Sequence, residues 1–288
     1  MDMERILQEI YKQLPPQPAV CFTVEPGDDE RFGNKLGGTP YFPKDMEYPV
    51  GTEGDFQGKP LNLLVQLNFE QLPHLPDFPT KGILQIFIAG DDLYGMCLDP
   101  DIGECMTQQR NFRVIYHERV LTDEKLLYAA DEIPRSDEVD CLLPFVGCYK
   151  LVPQELKLIN PTMHDYRFEK AYQKLCEDTG HSDGGSADLC GPIPSLDELD
   201  EEDFDKLYET KFPNAILGGY PFFTQEDPRS CPELAELDTL LFELDSVMDK
   251  EKGIDICWGD CGTGSFFLSR EKLKALDFSR VLYNYDCY

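Results

Sequence analysis

The chain writes one unusual heptapeptide twice. Leu36-Gly37-Gly38-Thr39-Pro40-Tyr41-Phe42 returns as Leu217-Gly218-Gly219-Tyr220-Pro221-Phe222-Phe223, 181 positions later. Two further blocks follow in the same order. Leu63-Leu64-Val65-Gln66-Leu67-Asn68 is answered by Leu240-Leu241-Phe242-Glu243-Leu244-Asp245 at an offset of 177, and Gly82 with Ile86-Phe87-Ile88 by Gly262 with Phe266-Phe267-Leu268 at 180. Each block set reads as a supersecondary unit too small to bury its own apolar face, so two copies must share a core. Within a copy the glycine pair supplies positive φ or close backbone approach at a reversal. The proline then fixes an extended exit, and the apolar run crosses the core as a strand. Asn68 is placed to cap the short turn Phe69 to Leu72, and Asp245 to do the same before Ser246-Val247-Met248.

The fold expected from this pattern is α+β, mainly antiparallel β, an internal duplication of two pseudo-equivalent halves with peripheral helices. It is expected as one compact domain over 1–288, with a first repeat at about 20–150, a helical insert at about 160–211 and a second repeat at about 212–288. A chain of 288 residues with 41% hydrophobic content has enough apolar material for such a core despite a net charge of -29. That charge, from 55 acidic against 26 basic residues, disfavours nucleic acid and anionic membrane surfaces and steers a basic protein toward the chain. The first residues, Met1-Asp2-Met3-Glu4-Arg5, lack the apolar run of a signal peptide, and nowhere are there about 18 apolar residues for a membrane span. Eleven cysteines, an odd number set in apolar stretches such as Val20-Cys21-Phe22, read as thiols of a reducing compartment. A cytoplasmic protein is expected, of undetermined oligomeric state.

Along the chain, Ile6, Leu7, Ile10, Tyr11 and Leu14 give an amphipathic helix from Glu4 to Leu14, ended by Pro15-Pro16. Strands are expected at Ala19–Val24, Ile83–Ile88, Leu93–Leu98 after a Gly90-Asp91-Asp92 hairpin turn, Phe112–Leu121 and Phe145–Leu151. Thr162 with Asp165 starts a helix that Gly180 closes, and a polar loop follows to Gly191. Ser195 with Glu198 opens an acidic helix from Leu196 to Tyr208. Ser269 is expected to cap Arg270–Leu276, and the aromatic tail Val281–Tyr288 to be a terminal strand.

Specific stretches resemble the YwqG-like family over nearly the whole length. They are Lys35-Leu36-Gly37-Gly38-x-Pro40, Pro60-Leu61-x-Leu63-Leu64-x-Gln66-Leu67-Asn68-Phe69, Thr224-Gln225-x-Asp227-Pro228-Arg229 and Trp258-Gly259-Asp260-x-Gly262. Tyr48 before Pro49, where the family tends to have Trp, and Glu243, where the second repeat often carries Gln, depart from it. The resemblance implies a duplicated, mostly β fold without assigned catalytic machinery, and an immunity role through association with toxin loci. The Leu-Gly-Gly-x-Pro pairs are also similar to eukaryotic proteins of the programmed-cell-death-protein-2 type, chaperones of a ribosomal protein. Both resemblances imply binding rather than catalysis.

Chemistry points to a few residues. The sole tryptophan, Trp258, stands beside Asp260 in a glycine-rich turn, an arrangement that serves either as a receptor for a cation or peptide or as a core anchor. Gln66, Asn68, Glu243 and Asp245 hold matching places in the two copies. Together with Gly37, Gly38, Trp258 and Asp260 they are the candidate binding cleft, either for a ligand or as a self-satisfied polar cluster. No Cys-x-x-Cys and no helical histidine pair supports a metal site, and no cofactor motif is present. Cys261 is the candidate nucleophile if a histidine meets it in space. The leading expectation is a protein-interaction module, immunity-like or chaperone-like, for a basic partner. The alternative is a small-molecule binder or enzyme using a cleft between the copies, with Trp258 exposed in its wall.

Overall fold

Gln17–Pro26 (β1), ten residues with apolar side chains through its middle, is the strand from which the sheet extends both ways. The computed structural model describes residues 3–98, 102–135, 141–180, 199, 202–203, 207 and 213–288. On one side β1 pairs with Cys148–Pro153 (β6), on the other with Ala215–Gly218 (β8), and at its start with Lys157–Ile159 (β7). Beyond β6 the sheet continues through Lys35–Gly37 (β2), Asn62–Asn68 (β3), Ile83–Ile88 (β4) and Phe112–His117 (β5). Beyond β8 it continues through Thr239–Asp245 (β9), Thr263–Leu268 (β12) and Leu282–Asp286 (β13). Val247–Asp249 (β10) and Ile254–Ile256 (β11) form a separate ribbon. Each arm therefore runs from a short strand ending in a glycine pair to a seven-residue strand, a six-residue strand and an outer strand.

The fold is mainly antiparallel β with few helices, and the large sheet is curled into a half-barrel. Bulges supply part of the curl. Against β4, Leu64 is an extra residue between Leu63 and Val65, and against β12, Leu241 is an extra residue between Leu240 and Phe242. A bulge bends its strand and strengthens the local twist. The inner faces then close on one core that includes Phe22, Leu36, Ile86, Phe112, Phe242 and Phe266. Phe112 of β5 reaches Phe266 at 6.2 Å and Tyr283 of β13 at 5.2 Å, so the two outer strands of the sheet face each other across that core. Each such fully buried aromatic or aliphatic side chain contributes about 1.5–3 kcal/mol.

Met3–Gln13 (α1) buries Met3, Ile6 and Ile10 against Phe168, Ala171 and Tyr172 of Tyr166–Gly180 (α3). Two further short helices are Ile102–Cys105 (α2) and Arg270–Lys274 (α4), the second capped by Ser269 Oγ accepting from Lys272 N as the sequence leads one to expect. Asn68 likewise caps its turn, accepting from Glu70 N.

Several local expectations are corrected. The helix after Thr162 is α3, starting at Tyr166, and Asp165 rather than Thr162 stands before it as the cap, its Oδ1 accepting from Arg167 N at 3.0 Å. Asp245 accepts from Ser246 N, but the chain goes on into β10 instead of a helical turn. Leu93–Leu98 is not a strand, because Asp91 Oδ1 accepts from Leu93 N and Gly95 N and the chain bends at Tyr94 (φ 52°) and Gly95 (φ 83°). The Gly180–Gly191 loop and the Ser195 cap, with most of the Leu196–Tyr208 helix, lie outside the described residues. Of that helix Leu207 is described and buried against α1 and α3.

Candidate functional site

Side chains alternate across a strand, so residues flanking the core positions of β3, β4 and β5 face outward. Gln66 and Gln85, directly paired on β3 and β4, form a neutral network there. Gln66 Oε1 accepts from Tyr41 N at 2.8 Å and from Gln85 Nε2 at 2.9 Å, while its Nε2 donates to the carbonyls of Arg31 and Gly33. Gln85 Nε2 also donates to Tyr41 O, and its Oε1 meets His117 Nε2 at 2.9 Å. Burial pulls the His117 imidazole down to about 4, so it is neutral between Tyr41 and Phe42. Asn68 Nδ2 donates to Phe32 O. The segment leading into and out of the first glycine pair is thus held to the sheet by side-chain amides, those of Gln66 and Gln85 with both ends engaged.

Glu243 occupies the corresponding place on β9. Its two carboxylate oxygens accept from Phe222 N at 3.1 Å, as Gln66 accepts from Tyr41 N. Opposite it on β12 stands Ser265, too short to make the bond that Gln85 makes, and beyond that Asn284 on β13. Among the described residues, Ser265 Oγ, Asn284 Nδ2 and Asp286 Oδ1 have no partner, although all three residues are buried. Asp286 Oδ2 accepts from Gln225 N at 2.8 Å. Burial pushes the Glu243 carboxyl well above the usual range, and neighbouring Asp245 and Asp286 add to it. Burial also pushes Asp245 and Asp286 up to about 6. A row of carboxyls retaining protons toward neutrality stands where the first arm has amides.

Sequence reasoning missed a second constellation. Arg229, fully buried, donates through Nη2 to Asp227 Oδ2 at 2.7 Å and to Asp165 Oδ2 at 3.0 Å, and its guanidinium lies 4.2 Å from the Phe267 ring centroid. Arg167 closes the group through Asp165 at 2.6 Å, and Asp227 Oδ2 accepts from Tyr166 N. Burial alone would raise the Asp165 carboxyl, but the Arg167 hydrogen bond and the Arg229 charge hold it below its usual value. The network fastens the start of α3 to the segment after the second glycine pair. The available signal was Asp227-Pro228-Arg229, a capped turn whose arginine has nowhere local to go.

Both glycine pairs line cavities. Gly37 (φ 62°) and Gly38 (φ 72°) leave no room for a Cβ, which would sit 2.4 Å from Gly147 O and from Asp29 Oδ1 respectively. A cavity of ≈ 510 Å³ lies over Gly38 with Tyr48, Asn62, Arg135, Cys141 and Cys148 in its walls. A neighbouring cavity of ≈ 320 Å³ shares Gly38, Asn62 and Cys141 and is otherwise largely apolar, with Leu64, Phe145 and Val146. The second pair, Gly218 and Gly219, lines a smaller space of ≈ 170 Å³ with Arg167, Asp238 and Arg270.

A family model matches residues 34–287, from the residue before β2 to the one after β13, and so takes in both glycine pairs and both polar networks. The chain belongs to the DUF1963 family, a domain of unknown function. No curated protein matches it.

In this DUF1963 chain the predicted site residues do not form one cleft. Gly37 and Gly38 line the first cavities. Gln66 and Asn68 lie together under the first arm's own loop, Glu243 and Asp245 together on the second arm, and β2, β6, β1 and β8 separate the two sets. Trp258 is fully buried, enclosed by Tyr94 and Tyr285 and stacked on Gly264, where a Cβ would lie 2.5 Å from Cζ2. Of the two readings of Trp258, its burial fits the core anchor and not the exposed indole of the cleft reading, and Asp260 stands apart from it in solvent. Cys261 lies against Cys257 and Asp260, not beside a histidine. Among the described residues no three His, Cys, Asp or Glu side chains are arranged to hold a metal ion, and no helix is long and apolar enough to cross a membrane.

Proposed function

We propose that this DUF1963 chain is an internally duplicated, YwqG-like cytoplasmic binding protein, and that its groove beside Gly37 and Gly38 takes an apolar residue flanked by basic ones from a partner protein, as an immunity or chaperone protein would. The two adjoining cavities over Gly38 carry this reading. Val146 and Leu142, 89% and 53% exposed, stand on the same loop that walls the groove, large apolar groups a chain would otherwise bury. The net charge of -29 favours a basic partner and speeds its encounter. Duplication is supported by the matched contacts Gln66 to Tyr41 N and Glu243 to Phe222 N, and by bulges at Leu64 and Leu241.

The test is fluorescence anisotropy with a panel of short peptides carrying one aromatic or aliphatic residue between lysines, set against acidic and neutral versions. The expected result is selective binding of the basic set, weakened at least about tenfold by Val146→Asp and reduced as salt rises. Equal binding of all three sets, or a Val146→Asp protein that binds like the parent, would overturn it.

A further inference from the structure

We propose that Cys257 and Cys261 are a reversible oxidation site, which a small neutral hydroperoxide converts to a disulfide closing the Trp258-Gly259-Asp260 turn. This does not depend on the groove. Three of the eleven cysteines gather here: Cys257, Cys261 and, against the same turn, Cys287, whose sulfur accepts from Tyr285 Oη at 3.4 Å. The turn is closed by Gly262 N donating to Trp258 O at 2.7 Å, with Trp258 and Gly262 paired as an antiparallel bridge. The Cys257 and Cys261 thiols lie against each other across that turn, and Cys257 Sγ donates to Gly259 O at 3.3 Å.

Backbone strain adds an independent argument. Cys261 sits at φ 57°, in the left-handed region where glycine or asparagine costs less, by roughly 1 kcal/mol. A turn selected only for shape has no reason to carry a thiol there. Cys261 is also solvent-exposed and Cys257 half-buried, the arrangement of an attacking thiol with a resolving partner behind it.

The electron count closes with the peroxide as oxidant. The Cys261 sulfur attacks one peroxide oxygen, the O–O bond breaks, and a sulfenic acid and one water (or alcohol) result. The Cys257 sulfur then displaces the sulfenic oxygen as a second water, forming the S–S bond, so two thiols lose two hydrogens and the peroxide gains two electrons. Asp260 and the strongly acidic chain repel anionic oxidants such as oxidised glutathione, which leaves the neutral peroxide favoured. Desolvation, with Cys257 and Asp260 nearby, pushes the Cys261 thiol up, so the reaction is slow at neutral pH.

The experiment treats the reduced full chain with hydrogen peroxide, alkylates remaining thiols and maps the peptides by mass. The expected product is one peptide, Cys257 to Cys261 intact, lighter by two hydrogens and unalkylated at both positions. The emission of the sole tryptophan should fall on oxidation and recover with reductant. Cys261→Ser and Cys257→Ser should each abolish the product and the emission change without altering the unfolding midpoint. Recovery of both residues as alkylated thiols, conversion of Cys261 to sulfinic acid alone, or a bridge from either to Cys287 would overturn the assignment.

Discussion

Glu243 and Gln66 differ by one atom in kind and make the same contact to the glycine-pair segment, yet Gln66 has four separate partners where both Glu243 oxygens share Phe222 N. A carboxyl whose folded pKa exceeds its unfolded value is held more tightly as an acid when folded. Its stabilisation is present at low pH and lost as pH rises through the folded value. For Asp245 and Asp286 that window runs from about 4, the unfolded value, to about 6, the folded one. His117 has the opposite sign: its imidazole is depressed to about 4, the unfolded state binds the extra proton, and its contribution grows as pH rises toward its ordinary value. Glu243→Gln is accordingly expected to stabilise the protein at pH 7 by about 1–2 kcal/mol and to do little at pH 4. Urea unfolding across that pH range checks it, and an equal effect at both ends would sink the argument. His117→Gln should instead remove the part of stability that rises between pH 4 and 6.5.

At the scale of elements, the segment after the second glycine pair is fixed to α3 by charge buried on both sides. Truncating Arg229 leaves Asp227 uncompensated inside the protein and Asp165 with Arg167 alone, and Arg229→Ala is expected to cost about 3–5 kcal/mol in chemical denaturation. Adding Asp227→Asn to it should recover part of the loss. If the double change costs as much as both single changes added, the ions are not acting as one unit. The caps at Asn68 and Ser269 were legible because their partners lie within three residues. The start of α3 was not: Thr162 and Asp165 both fit a capping pattern, and the choice falls to Asp165 because Arg167 and a distant Arg229 engage its carboxylate. The failed strand at Leu93–Leu98 has a similar origin, since a single aspartate side chain turned an apolar run back on itself.

For the whole molecule, a charge of -29 spread over 288 residues works against compactness through self-repulsion. Raising monovalent salt should lift the thermal midpoint by a few degrees, followed by circular dichroism; a midpoint that falls with salt would mean the ion pairs outweigh the repulsion. The repeated blocks and their apolar runs determined by themselves that the chain makes antiparallel strands with glycine reversals, because those depend on side-chain period and local φ. Which groups meet was decided only in three dimensions. The bulges at Leu64 and Leu241 curl the sheet so that its inner faces share one core while Gln66 and Glu243 face outward on separate arms, and that curl puts Trp258 inside and leaves Asp260 in water. A strand's sequence fixes which of its side chains share a face, but only the closing of the whole sheet fixes what each face looks at.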